Sequence, residues 1–191
     1  MKKIKVITGG IGSGKSFVCD MLRERGIDVY DCDFHAKRLM EENEDAIDGL
    51  KKLIGDNAYI GHKLNKPVIA QFLLDNANNA KAINSIVHPI VAKDFLQSDF
   101  AWLESAIYFE TDFGRQILTD CTPYIICVSA PLEIRIARIM HRDSISRDRA
   151  LEWIEKQMPD EEKIEKSDFV IINDGKQNID KQINDLLNGL S

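Results

Sequence analysis

Apolar and polar positions along the chain fall into two alternating rhythms. Ile4–Thr8 is a short β-branched run stopped by glycines, the pattern of a buried strand. Phe17, Val18, Met21 and Leu22 then recur at helical spacing as far as Gly26, a residue suited to end a helix. Ile27–Asp33 returns to the extended pattern and closes on two acids, which completes a strand–loop–helix–strand unit of a parallel sheet. From Phe34 to about Phe95 the pattern is helical, punctuated at Gly55, Ile60–Pro67 and His88–Pro89, with no convincing strand. Strand character resumes at Ser105–Glu110, Tyr124–Pro131 and Ser167–Asp174, with helices expected at Leu132–His141, Arg147–Gln157 and Gln177–Leu187. Without repeats or linkers, the pattern predicts one α/β domain over residues 1–191 with a helical insertion at about 34–98.

Gly9-x-x-x-x-Gly14-Lys15-Ser16 sits between the first expected strand and the first expected helix, which is the context that gives the pattern meaning as a phosphate loop. Glycines let the backbone take positive φ and bring its N–H groups against phosphate oxygens, and the helix that follows adds its positive end. Gly10, Ile11, Gly12, Ser13, Gly14 and Phe17 would supply backbone to that cradle. Lys15 would reach the β- and γ-phosphates and the Ser16 hydroxyl would ligate Mg²⁺. ATP and Mg²⁺ are therefore the expected cosubstrate and metal.

Composition narrows the rest. Hydrophobic content of 44% and charged content of 29% suit a folded soluble chain, and a net charge of −6 argues against a dedicated nucleic-acid binder. Cys19, Cys32, Cys121 and Cys127 are too scattered for a zinc site or a disulfide framework, so they read as buried thiols in a reducing compartment. The lysines of the first residues resemble a signal peptide, but the apolar run after them is too short, and no stretch approaches a membrane span. A cytoplasmic monomer or small homo-oligomer that binds neither membrane nor nucleic acid is expected.

A phosphate loop serves kinases, GTPase switches and motors alike. Asn65–Val68 lacks the aspartate that guanine selection needs, and Asp56 lacks the glycine of a switch, so a GTPase is disfavoured. Asp31 and Asp33, two residues apart at a strand end, suit a carboxylate that orients a hydroxyl acceptor and takes its proton, and equally suit a cap for a helix starting near Phe34. Glu133–Arg149 holds five of the nine arginines, with Arg135, Arg138 and Arg142 on one helical face. Guanidinium groups match phosphate oxygens, so His141–Arg147 reads as a mobile lid, within a lid segment at about 138–157, with Arg142 nearer its tip than Arg135, which should matter less; interspersed acids also allow a solvated face.

Taken together, these pieces resemble the dephospho-CoA kinase family. Thr8–Ser16 is similar to its phosphate loop, Val29–Asp33 to its V-x-D-x-D acceptor motif, and Val87–Pro89 to its L-H-P. Arg138–Asp143 is similar to its lid entrance and Asp168–Gly175 to its last strand and N-x-G turn. The resemblance implies a P-loop NTPase-type three-layer fold around a five-stranded parallel sheet, with an inserted helical substrate-binding part and a lid. It implies ATP-dependent phosphorylation of the ribose 3′-hydroxyl of dephospho-CoA, with Asp33 as catalytic carboxylate and Lys15, Ser16, Arg138 and Arg142 around the phosphates. It places Asn173 beside adenine, and Asp31, Lys37, Lys66, His88 and Glu110 on the substrate side. Phe17 stands where the family usually has threonine, and Lys37 and Lys66 where it usually has arginine. Another small-molecule P-loop kinase, or a non-catalytic nucleotide switch, is the alternative reading.

Overall fold

The structure is a computed structural model that describes residues 3–76, 78–111 and 122–190. In chain order the elements are β1 (Lys5–Thr8), α1 (Lys15–Arg23), β2 (Val29–Asp31), α2 (Cys32–Glu42), α3 (Glu44–Ile54), β3 (Tyr59–Ile60), β4 (Lys63–Leu64), α4 (Lys66–Asp75) and α5 (Asn79–Gln97). They continue with β5 (Trp102–Glu104), β6 (Tyr124–Ser129), α6 (Leu132–Asp143), α7 (Arg147–Glu155), α8 (Asp160–Glu165), β7 (Phe169–Ile172) and α9 (Ile179–Leu190). The chain divides into two compact units, one formed by residues up to Tyr30 and from Phe100 onward, the other by Asp31–Asp99.

The first unit carries a five-stranded parallel sheet in the order β2-β5-β1-β6-β7, so the phosphate loop leaves its central strand. Val6 pairs with Leu103 on one side and Ile125 on the other, and Ile7 with Glu104 and Ile126. Strands buried on both faces read as continuous apolar runs, which is why Ile4–Thr8 and Tyr124–Ser129 were legible without alternation. Ile7, Ile126, Val128 and Ile171 pack with Val18 and Leu22 of α1 and Ile183 and Leu186 of α9 in one fully buried cluster. Burying each such side chain is worth about 1.5–3 kcal/mol. Arg23 closes α1 and Gly26, at φ 76°, turns the chain out of it.

The second unit packs α2, α3 and α5 around Leu39, Ala46, Leu50, Ile83, Val87, Val91 and Phe95. Arg38 of α2 donates from Nη2 to both carboxylate oxygens of Asp94 on α5, at 3.1 and 3.0 Å. Tyr59 donates its hydroxyl hydrogen to the Met40 carbonyl at 2.6 Å, and Lys63 bonds Glu41 at the same distance, which ties the β3–β4 hairpin to α2.

Several boundaries differ from the sequence pattern. The second strand ends at Asp31, not Asp33, because the Asp31 carboxylate accepts the Phe34 N–H at 2.9 Å and starts α2. The strand expected at Ser105–Glu110 is a series of turns; the true strand is the preceding Trp102–Glu104, too short to announce itself. The insertion contains the antiparallel β3–β4 hairpin that the helical pattern hid. His88–Pro89 does not interrupt α5, whose buried Ile83, Val87, Val91 and Phe95 continue on both sides of the proline and outweigh the one lost backbone bond. The six-residue α8 was not anticipated. Cys19, Cys32 and Cys127 are free and buried, as expected; Cys121 lies outside the described residues.

Candidate active site

The glycine-rich loop between β1 and α1 is held by its carbonyls. Arg135 of α6 donates from Nε to the Ile11 carbonyl at 2.9 Å, and Arg138 donates from Nη1 to the carbonyls of Gly12 and Ser13 at 3.2 and 3.1 Å. Asn173, just past β7, donates from Nδ2 to the Ser13 carbonyl at 2.9 Å and accepts from Arg138 at 3.0 Å. Gly14 stands at φ 93°, where any Cβ would also overlap the Asn173 amide; Gly12, at φ 79°, lies against the Arg135 backbone. Only glycine allows this close approach. A loop whose carbonyls are held from outside is set to turn its remaining N–H groups toward an anion; those of Ile11 and Ser13, expected in the cradle, are taken by Gln157 Oε1 at 2.7 Å and by the Gly10 carbonyl at 3.1 Å. The hydroxyls of Ser13, in the loop, and of Thr8, at the end of β1, are buried without hydrogen-bond partners.

Lys15 and Ser16 open α1 and meet the end of β5. Ser16 donates its hydroxyl hydrogen to Glu104 Oε1 at 3.1 Å, and Lys15 Nζ lies 3.9 Å from the same oxygen. Glu104, Ser16 and Lys15 thus converge where charge is shielded from solvent, the Glu104 side chain being only 9% exposed. A hydroxyl and a carboxylate oxygen this close fit Mg²⁺, which takes hard oxygen ligands, needs few from the protein and keeps several waters. No cluster of three or more His, Cys, Asp or Glu side chains able to hold a metal occurs among the described residues. Cys19, one turn further along α1, is held protonated by burial and by the neighbouring Glu104 charge.

The arginine face divides in two. Arg135, expected to matter less, is 5% exposed and pairs through Nη1 with Asp160 at 2.7 Å, while Ser129 also donates to Asp160 at 3.3 Å. Arg142, expected foremost, is an exposed side chain paired with its neighbour Asp143 at 2.7 Å. Arg147 pairs with Glu133 and Arg149 with Glu152 on the surface. Glu110 accepts the Met158 N–H at 2.8 Å and lies 2.9 Å from Nζ of fully buried Lys163. Phe17 is exposed.

The remaining sequence candidates lie in the second unit. Asp31 is occupied as the cap of α2, and Asp33 stands exposed in its first turn, so the pair shares no strand face. Asp33 and Lys37 are one helical turn apart on α2, both exposed. Lys66 opens α4, and half-buried His88 lies in the middle of α5. Sequence reasoning missed Glu104, Asp160 and Gln157. Glu104 had one available signal, an acid at the carboxyl end of a short strand, where ligands of parallel sheets gather; the misplaced strand concealed it.

A central strand running into this loop, a lysine and hydroxyl at the helix start and a carboxylate on the adjacent strand define a P-loop nucleotide-binding protein. The dephospho-CoA kinase family profile matches residues 4–178. A dephospho-CoA kinase from Bacteroides fragilis is 39% identical over 188 residues, covering 95% of this chain and 89% of that protein. A crystal structure from Thermus thermophilus superposes with a TM-score of 0.79 at 30% identity over the whole of both chains. Dephospho-CoA kinase from Campylobacter jejuni shares the fold, with a TM-score of 0.69 at 21% identity over 100% of this chain and 98% of that one. The chain belongs to the dephospho-CoA kinase family.

Proposed function

We propose that the protein transfers the γ-phosphoryl group of ATP to the ribose 3′-hydroxyl of dephospho-CoA, giving CoA and ADP in the last step of CoA synthesis. The observation that carries this reading is the family match across nearly the whole chain, with a phosphate loop built as such a transfer needs. Lys15 follows the transferring phosphoryl charge, and loop amides hold the β-phosphate. Ser16 and Glu104 are the residues that would hold Mg²⁺, which when bound would supply charge neutralisation for phosphoryl transfer. A ribose hydroxyl has a pKa far above neutral, so Asp33 acts by aligning it and accepting its proton late in a loose transition state. Asp31 supports it by capping the helix that carries it. Lys37, Lys66 and His88 face the acceptor, and Arg142, freed from Asp143, closes over the phosphates as part of a lid spanning about 138–157.

Among the described residues no helix is long and apolar enough to cross a membrane. We place the protein in the cytoplasm as a monomer or small homo-oligomer with no nucleic-acid partner.

The test is an acceptor panel. ADP release should depend on added dephospho-CoA and far exceed that with nucleosides, nucleotides or shikimate-like alcohols; equal rates without any acceptor would sink the reading. Asp33→Asn should keep ATP affinity while transfer drops by about 10²–10⁴-fold, the usual worth of general-base catalysis. Asp31→Asn should be the milder of the two. A fully active Asp33→Asn enzyme would mean another group receives the proton.

A further inference from the structure

Both backbone groups of Ile11, at the crest of the phosphate loop, are held by side chains from distant parts of the chain. Arg135 takes the carbonyl, and the Ile11 N–H donates to Gln157 Oε1 at 2.7 Å. Gln157 lies two residues past the end of α7, and its own N–H donates to the Ile154 carbonyl at 3.1 Å. The next N–H, of Met158, is fixed on Glu110, whose carboxylate is in turn fixed by the fully buried Lys163 ammonium. Two residues further on, Asp160 receives Arg135. Gln157, Asp160 and Arg135 also line one cleft of about 620 Å³ together with Ile154 and Ile172. The stretch from Gln157 to Lys163 is therefore an anchored belt behind the loop, and Gln157 is the point at which it reaches the loop backbone.

Hydrogen bonds set the peptide planes around Ile11, including that from the Ser13 N–H to the Gly10 carbonyl at 3.1 Å. Glycines flank Ile11 on both sides, and Gly12 already sits at φ 79°, so the peptide planes before and after Ile11 rotate with little steric resistance. Release of the Ile11 N–H would let the Gly10–Ile11 plane turn, and with it the following loop amides would shift from the positions a bound phosphate requires. We propose that Gln157 is a positioning residue for phosphoryl transfer: its amide oxygen fixes the Ile11 peptide so that the phosphate loop is preset, and it links that setting to α7. The inference rests on the kinase reading, because only a reacting nucleotide makes the setting matter to turnover.

Two variants separate this role from plain stability. Gln157→Met keeps the length and apolar bulk but removes the acceptor; Gln157→Glu keeps an acceptor oxygen for Ile11. Hydrogen exchange of a peptide covering the loop, measured without nucleotide, should rise in the Met variant and stay at wild-type levels in the Glu variant. In the assay with ATP and dephospho-CoA, the Met variant should lose about 10–100-fold in kcat, the scale of a slightly misplaced reacting group, with KM for ATP changing far less. Its melting temperature should stay close to wild type. Unchanged loop exchange in the Met variant, or equal loosening in both variants, overturns the proposal, and this readout does not depend on the acceptor. Wild-type kcat in the Met variant overturns it as well. If the wild-type chain fails to phosphorylate dephospho-CoA while the exchange pattern holds, the substrate reading has failed and the positioning role of Gln157 stands.

Discussion

Glu104 illustrates how little a single residue announces before it is placed. In the sequence it is one acid among 31, yet in the fold it receives the Ser16 hydroxyl and lies beside the Lys15 ammonium. On the proposed mechanism, Lys15→Ala should cost several orders of magnitude in turnover while the fold survives, because the charge it removes is the one assigned to the transferring group and holds no core together. Near-normal turnover in a folded Lys15→Ala protein would remove the loop from the mechanism. Glu104→Gln keeps the shape and one acceptor oxygen, so ATP binding without Mg²⁺ should persist while the Mg²⁺ concentration needed for half-maximal turnover rises; a titration of Mg²⁺ at saturating ATP reads this directly. Asp31 is the opposite case. Its spacing from Asp33 suggested shared chemistry, but its carboxylate is engaged by the Phe34 N–H.

At the scale of elements, α6 carries two kinds of arginine on one stripe. Arg135 is buried against Asp160, and breaking a buried pair by removing one partner typically costs about 3–5 kcal/mol because the other charge is left unpaired. Arg135→Ala should therefore lower the melting temperature by many degrees, whereas Arg142→Ala should leave it nearly unchanged and reduce turnover instead. Equal melting temperatures for the two variants would mean that the Arg135–Asp160 pair contributes little. In α2, burial and the Arg38 guanidinium lower the His35 pKa below its ordinary 6.5, partly offset by Asp94 and Asp31. The unfolded chain then takes the proton more readily than the folded one. This contribution to stability is whole above 6.5 and is lost as pH falls below it toward the lowered folded value. Melting temperature followed across that range should fall less steeply in His35→Gln than in wild type; parallel curves would show that His35 does not link folding to protons.

For the whole molecule, a ligand that binds only the folded state stabilises it by mass action, by about 2.7 kcal/mol at a hundred times its Kd. ATP should raise the melting temperature of the wild type, and the rise should shrink sharply in Gly14→Ala, where a side chain would meet both a positive φ and the Asn173 amide. An undiminished shift in a folded Gly14→Ala protein would place the nucleotide elsewhere. The sequence by itself determined the parallel α/β class, the phosphate loop and the family, because these depend on local rules: continuous apolar runs for doubly buried strands, glycines where φ must be positive, and a short ordered set of motifs. It could not determine where β2 ends, since a cap bond from Asp31 competes with extension over a single residue. Nor could it sort five arginines of one segment into a pair that grips the loop and others that face solvent, because that depends on Asp160, Asn173 and the loop carbonyls, all distant in sequence. Partners 25 to 160 residues apart meet only when the sheet is closed, and that is where the tertiary structure decided the site.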